Sequence, residues 1–147
     1  MKLEDEIQHT FTSSQIRVIT NLVFTSNWAL SKISQALKPI GLSLQQLNIL
    51  RILKGQPHQT ATVNLIKERM VDRMPNVSRL LNKLMEKGLI VKERNLTDQR
   101  VVYIKLTPEG EKLSEKGKEI LETKCFDVRL SDEESDLLNT MLEKLRY

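Results

Sequence analysis

Cysteine is nearly absent from this chain of 147 residues: Cys125 stands alone, so no internal disulfide can form and a bridge-stapled scaffold is excluded. Glycine (5) and proline (4) are scarce and no stretch is of low complexity, which argues against the disordered and fibrous classes. Aromatic residues make up only 4%, and no apolar run approaches the roughly 18 to 20 residues that a membrane span requires. The start, Met1-Lys2-Leu3-Glu4-Asp5-Glu6, lacks the apolar stretch of an export signal. The expected compartment is the cytoplasm, with no membrane partner, and a lone cysteine agrees with reducing surroundings.

Catalytic constellations are missing as well. There is no Gly-x-Ser-x-Gly, no His-Glu-x-x-His and no dinucleotide fingerprint. Gly110 and Gly117-Lys118 come nearest to a phosphate loop, but six residues separate the glycines where four are needed, and Glu119 stands where Ser or Thr is required. The two histidines, His9 and His58, fall in an expected tail and loop and form no metal-ligand set with the single cysteine. The expectation is a protein that is not an enzyme and needs neither metal nor cofactor.

What remains is a chain with 39% hydrophobic residues recurring at helical spacing, enough for one domain with a sizeable core. Its net charge of +4 is unevenly spread. Residues 1–60 carry 6 basic and 3 acidic groups, residues 61–106 carry 10 and 5, and residues 107–147 carry 7 and 11. A basic middle against an acidic end suits a DNA-reading module on a separate scaffold, and solvated helix faces alone also produce it.

From about Thr12 to Lys38, Val18, Leu22, Ala29, Ile33 and Leu37 follow the three-and-four spacing of a long amphipathic helix, closed by Pro39 and Gly41. Ser43-Leu44-Gln45-Gln46 reads as a capping box opening a second helix, which runs to about Lys54 with Leu47, Leu50 and Leu53 inward. A short helix over about Thr62 to Arg69, a turn through Val71, Asp72 and Arg73, and a helix with Pro75 near its first position and Gly88 past its end suggest a helix-turn-helix. The period then changes to that of strands, with Leu89–Arg94 and Val101–Leu106 forming a two-stranded hairpin. Thr107-Pro108-Glu109 starts another helix, and the capping box Ser131-Asp132-Glu133-Glu134 starts the last. The order predicts a mainly α protein with a small β-hairpin wing: a winged helix-turn-helix over about 43–107, between helical arms over about 1–38 and 108–147.

On the helix from Pro75 to Lys87, Val77, Leu80, Leu81 and Leu84 mark the core face, leaving Asn76, Ser78, Arg79, Asn82 and Lys83 outward. Arg reads guanine and Asn reads adenine in the major groove, and the first residues of a recognition helix lie nearest the bases. Asn76 and Arg79 are therefore the expected base readers, with Asn82 and Lys83 as phosphate contacts. Lys92, Arg94 and Lys105 lie on the strands, where phosphate contact and plain solvation are both open.

The string Asn76-Val77-Ser78-Arg79-Leu80-Leu81-Asn82-Lys83-Leu84-Met85-Glu86-Lys87-Gly88-Leu89-Ile90, followed by Arg94, Asp98, Arg100 and Leu106-Thr107-Pro108-Glu109-Gly110, resembles the MarR (multiple antibiotic resistance regulator) family over nearly the whole chain. Two positions depart from the family pattern: Gln99 replaces a frequent second arginine in the wing, and Pro75 stands where serine or threonine is common. The resemblance implies a homodimer binding duplex DNA at an inverted repeat, as a ligand-responsive repressor. It further implies that Arg100 enters the minor groove while Asp98 holds its guanidinium. It places small aromatic or phenolic effectors in a space that Trp28 is expected to line, with core or interface packing as the other reading of Trp28. The expected dimer face combines Ile7, Phe11 and Ile16 with Leu113, Ile120, Leu121, Leu138, Met141 and Leu145. The alternatives are a winged-helix module that binds protein and a redox sensor built on Cys125.

Overall fold

The computed structural model describes residues 2–73 and 76–147. A short helix α1 (Leu3–Ile7) precedes the long α2 (Ser14–Leu37), to which it is tied by the Arg17 guanidinium on Glu4 at 2.5 Å. Then come α3 (Leu44–Lys54), strand β1 (Thr60–Thr62), α4 (Val63–Arg69), α5 (Val77–Glu86), strands β2 (Ile90–Arg94) and β3 (Val102–Leu106), α6 (Pro108–Lys124) and α7 (Asp132–Arg146).

Local chemistry sets most of these ends. Ser43 Oγ accepts the Gln46 N–H at 3.1 Å while Gln46 Oε1 accepts the Ser43 N–H at 3.0 Å, closing the box that opens α3. Thr62 caps α4 through the Leu65 N–H at 3.2 Å, and Ser131 caps α7 through the Glu134 N–H at 3.2 Å. At the end of α5, Gly88 takes a φ of +71°, which lets its N–H reach the Met85 carbonyl at 2.9 Å and the Leu89 N–H reach the Leu84 carbonyl at 3.0 Å. The Thr107 hydroxyl accepts the Gly110 N–H at 3.0 Å and donates to the Gly88 carbonyl at 2.7 Å. One side chain thus caps α6 and pins it to the end of α5.

The sheet has three strands in the order β1-β3-β2, all antiparallel, where the hairpin pattern predicts two. Thr60, Ala61 and Thr62 pair with Lys105, Ile104 and Tyr103, and Ile90 pairs with Leu106. Three residues are too few to show a period of two, so this edge strand carries no sequence signal. Ile90 and Ile104 point into a core with Leu47, Leu50, Leu53, Ile66, Leu81 and Leu84.

Two further expectations are corrected. Helix α5 begins at Val77 with Asn76 as its cap, so its start lies beyond Pro75, which falls outside the described residues. Leu121 is 1% exposed and belongs to the core, and Leu113 and Ile120 pack against that core, so these three do not form an open dimer face. Their apolar spacing is that of a buried helix side, which periodicity alone does not distinguish from an interface. In contrast, α7 buries none of its residues. It leans on α2, leaving a groove of about 400 Å³ walled mainly by Val18, Leu22, Leu138, Met141 and Leu145.

Candidate nucleic-acid interface

Helix α5 buries Val77, Leu81 and Leu84 and leaves Asn76, Ser78, Arg79, Asn82 and Lys83 exposed. A helix with one fully buried stripe has no rotational freedom, so the opposite face is presented in a fixed orientation. Between Asn76 and Lys83 that face carries amides, a hydroxyl and two cations and no carboxylate. Asn76 is partly committed: its Oδ1 accepts the Arg79 N–H at 3.1 Å, the capping bond of the helix. A bidentate reading of adenine needs both the oxygen and the amide nitrogen; Nδ2 is uncommitted, and Oδ1 keeps one lone pair beyond its capping bond. The Arg79 and Lys83 side chains have no ion-pair partner among the described residues.

The wing turn between β2 and β3 is knitted by side chains onto backbone. Asn95 Oδ1 accepts the Thr97 N–H at 2.9 Å and the Thr97 hydroxyl at 2.7 Å, while the Asn95 N–H donates to the Val101 carbonyl at 3.1 Å. Asp98 Oδ1 accepts the backbone N–H of Arg100 at 3.0 Å. Among the described residues no ion pair joins this carboxylate to the Arg100 guanidinium. In this chain Asp98 fixes the turn that carries Arg100, as an Asx turn does, and the Arg100 residue is exposed to solvent. Lys92 and Arg94 are exposed on the alternate positions of β2 beyond Ile90, while Lys105 lies 3.9 Å from Glu93.

Trp28 does not line the apolar groove. It is 55% exposed, with Lys32 Nζ at 5.4 Å from its ring centroid, whereas the groove opens on the side of Val18 and Leu22. Cys125 is 8% exposed, and its thiol points to the Lys32 carbonyl at 3.9 Å, shielded from oxidants and thiols. Sequence reasoning missed a cleft between the start of α3 and α5, lined by Ser43, Gln45, Gln46, Asn76, Arg79, Leu80 and Lys83. Its one signal in the sequence is the capping box Ser43-Leu44-Gln45-Gln46 at the start of α3.

Among solved structures, the fold resembles that of an E. coli MarR mutant complexed with operator DNA, with a TM-score of 0.78 at 20% identity over 99% of each chain. It is equally similar to the organohalide-sensing regulator RdhR in its 2,4-dichlorophenol-bound form, with a TM-score of 0.80 at 24% identity over 92% of this chain and 81% of that one. The fold is thus the winged helix of the MarR regulators. In sequence, 65 residues are 31% identical to the HTH-type transcriptional regulator SarU of Staphylococcus aureus, a stretch covering 44% of this chain and 26% of SarU. The chain therefore matches only about a quarter of the length of that relative. The family described as transcriptional regulator SarA/Rot matches residues 31–121, from the last part of α2 through the helix-turn-helix and wing to Leu121 of α6. By that match, across the helix-turn-helix and the wing, this chain belongs to the SarA/Rot family of transcriptional regulators.

Proposed function

We propose that the chain acts as a cytoplasmic, homodimeric repressor that binds an inverted-repeat operator in duplex DNA and responds to a small aromatic or phenolic effector. Residues 43–107 serve as the DNA-binding lobe of a single MarR-like domain, with the helices over 1–38 and 108–147 as dimerisation arms. The observation that carries this reading is the face of α5 from Asn76 to Lys83, exposed throughout and free of carboxylates beside a wing that presents Arg100. Arg79 and the Nδ2 of Asn76 read bases, Ser78, Asn82 and Lys83 hold phosphates, and Lys92 and Arg94 follow the backbone along the wing. Selecting bound fragments from random duplexes tests it: enrichment of an inverted repeat with half-sites roughly 34 to 36 Å apart is expected, and no enrichment rejects it.

The homodimer follows from the arms. Ile16, Ile19 and Val23 run along one side of α2 at 54%, 51% and 56% exposure, and α7 leaves Leu137 and Met141 at 56% and 57%. Apolar sides of that extent call for a partner, and a second copy supplies a matching pair of arms. Sedimentation equilibrium at micromolar concentration should give twice the 17.0 kDa mass of the chain. A single-chain mass would refute this arrangement. The effector is assigned to the groove between α2 and α7 in place of Trp28, because the groove is concave and apolar, as small-molecule sites are. The dichlorophenol held by the RdhR structure supports that ligand class.

In the wing, Arg100→Ala should reduce DNA affinity by at least about tenfold, the scale of one lost charge-assisted contact. Asp98→Asn keeps the oxygen that holds the Arg100 N–H and should bind nearly as the parent does, whereas Asp98→Ala should fall between the two. Operators should be A·T-rich under the wing, where the narrow minor groove is most negative. Filter-binding titrations decide the point: if Asp98→Asn is as damaging as Arg100→Ala, the carboxylate charge matters and the turn-fixing account fails.

A further inference from the structure

The tip of the wing carries a leucine that the fold does not use. Leu96 is 100% exposed, and among the described residues the only other large apolar side chain so fully open is Tyr147 at the end of the chain. The backbone around Leu96 is nevertheless held. Asn95 Oδ1 accepts the Thr97 N–H at 2.9 Å, the Thr97 hydroxyl at 2.7 Å and the Asp98 N–H at 3.4 Å, and the Val101 N–H donates to the Asp98 carbonyl at 3.1 Å. Two consecutive turns thus fix the main chain at the tip and present a side chain that buries nothing.

The surroundings show what such a tip fits. Arg94 and Arg100 flank it in the chain, both are exposed, and neither has an ion-pair partner among the described residues. The carboxylate of the turn, Asp98, accepts the Arg100 N–H at 3.0 Å. A protein-docking surface or a membrane-binding face needs contiguous apolar area, whereas here one leucine stands among cations, amides and hydroxyls. The minor groove of duplex DNA matches both features. It is about 6 Å wide, its rims are phosphates and its walls are the C–H faces of deoxyribose, so it admits a single apolar side chain between cations.

We propose that Leu96 enters the minor groove beside Arg100 and packs against its sugar walls. The inference rests on the DNA-binding reading above and adds to it an apolar contact, in a wing whose other assigned contacts are all charged. Arg100 responds to the potential of the groove and Leu96 to its shape. A narrow A·T groove closes on the side chain from both walls, while the amino group of guanine raises the floor and holds the side chain off. Leu96 thereby adds to the selection of A·T pairs beneath the wing by fit, not by charge.

Leu96→Ser should fold as the parent does, with an unchanged melting temperature, since a side chain that buries nothing leaves no cavity behind. Its affinity for the selected operator should fall by about five- to tenfold, while the slope of log affinity against log salt stays that of the parent because no phosphate contact is lost. Leu96→Met, apolar and of similar volume, should bind within about twofold of the parent. An inosine·cytosine pair lacks the guanine amino group in the minor groove and keeps the major-groove edge. Exchanging it for G·C beneath the wing should strengthen binding of the parent more than binding of Leu96→Ser. Equal affinity of Leu96→Ser and the parent overturns the proposal, and so does an equal gain from inosine in both proteins, which would put Leu96 outside the groove. A parent that binds no duplex sinks the DNA reading and this contact with it, whereas a parent that binds and a serine variant that matches it reject the contact alone.

Discussion

Gly110→Ala is expected to destabilise the fold by at least about 2 kcal/mol, although alanine is the better helix former by about 1 kcal/mol. A Cβ at Gly110 would meet the Leu89 carbonyl oxygen at 2.0 Å and Leu106 Cδ1 at 2.7 Å. The carbonyl has nowhere to go, since it accepts the Thr107 N–H at 3.1 Å and the Leu89 N–H is itself held by the Leu84 carbonyl at 3.0 Å. Helix α6 would have to lift from the end of α5, breaking the Thr107 clasp. For a chain of this size the loss corresponds to a fall of roughly 4 to 8 °C or more in Tm. Gly117→Ala provides the comparison: its Cβ would meet Leu47 Cδ1 at 2.6 Å, the end of a side chain that has other rotamers, so a smaller loss is expected. Thermal melts followed by circular dichroism measure both, and a Gly110→Ala protein as stable as the parent would mean that α6 is not clamped as described.

Arg79→Ala should cost about 1 to 3 kcal/mol of DNA binding and relax the preference at one base pair in each half-site. Folding should be untouched, because the side chain is exposed and the bond that caps α5 uses the Arg79 backbone N–H, which alanine keeps. Lys83→Ala should weaken all sequences alike and lower the slope of log affinity against log salt by about 1, as the loss of one phosphate contact requires. Titrations at several salt concentrations on operator and scrambled duplexes separate the two. If Arg79→Ala behaved as Lys83→Ala does, the guanidinium would be a phosphate contact only, and base reading would have to pass to other residues of α5.

Family resemblance and local chemistry reach the same fold by different routes. The capping boxes at Ser43 and Ser131, the Thr107 cap and the left-handed Gly88 are each decided within three or four residues, so a chain of one-letter symbols suffices to place them. The outward face of α5 is equally legible, because Val77, Leu81 and Leu84 repeat at the period of the helix and the polar residues occupy what is left. The β2-β3 ladder was legible from its alternation and its turn.

Contacts between segments far apart in sequence decided the rest. The three-residue strand β1 exists because β3 offers it a free edge, a fact that no window around Thr60 contains. Leu121 and Leu138 look alike on their helices, yet α6 is covered by α3 and the core while α7 is not, so one is buried and the other open. The resemblance says nothing of the turn that Asp98 builds: its Oδ1 takes the Arg100 main-chain N–H two residues away, which is reached without ordering a long side chain.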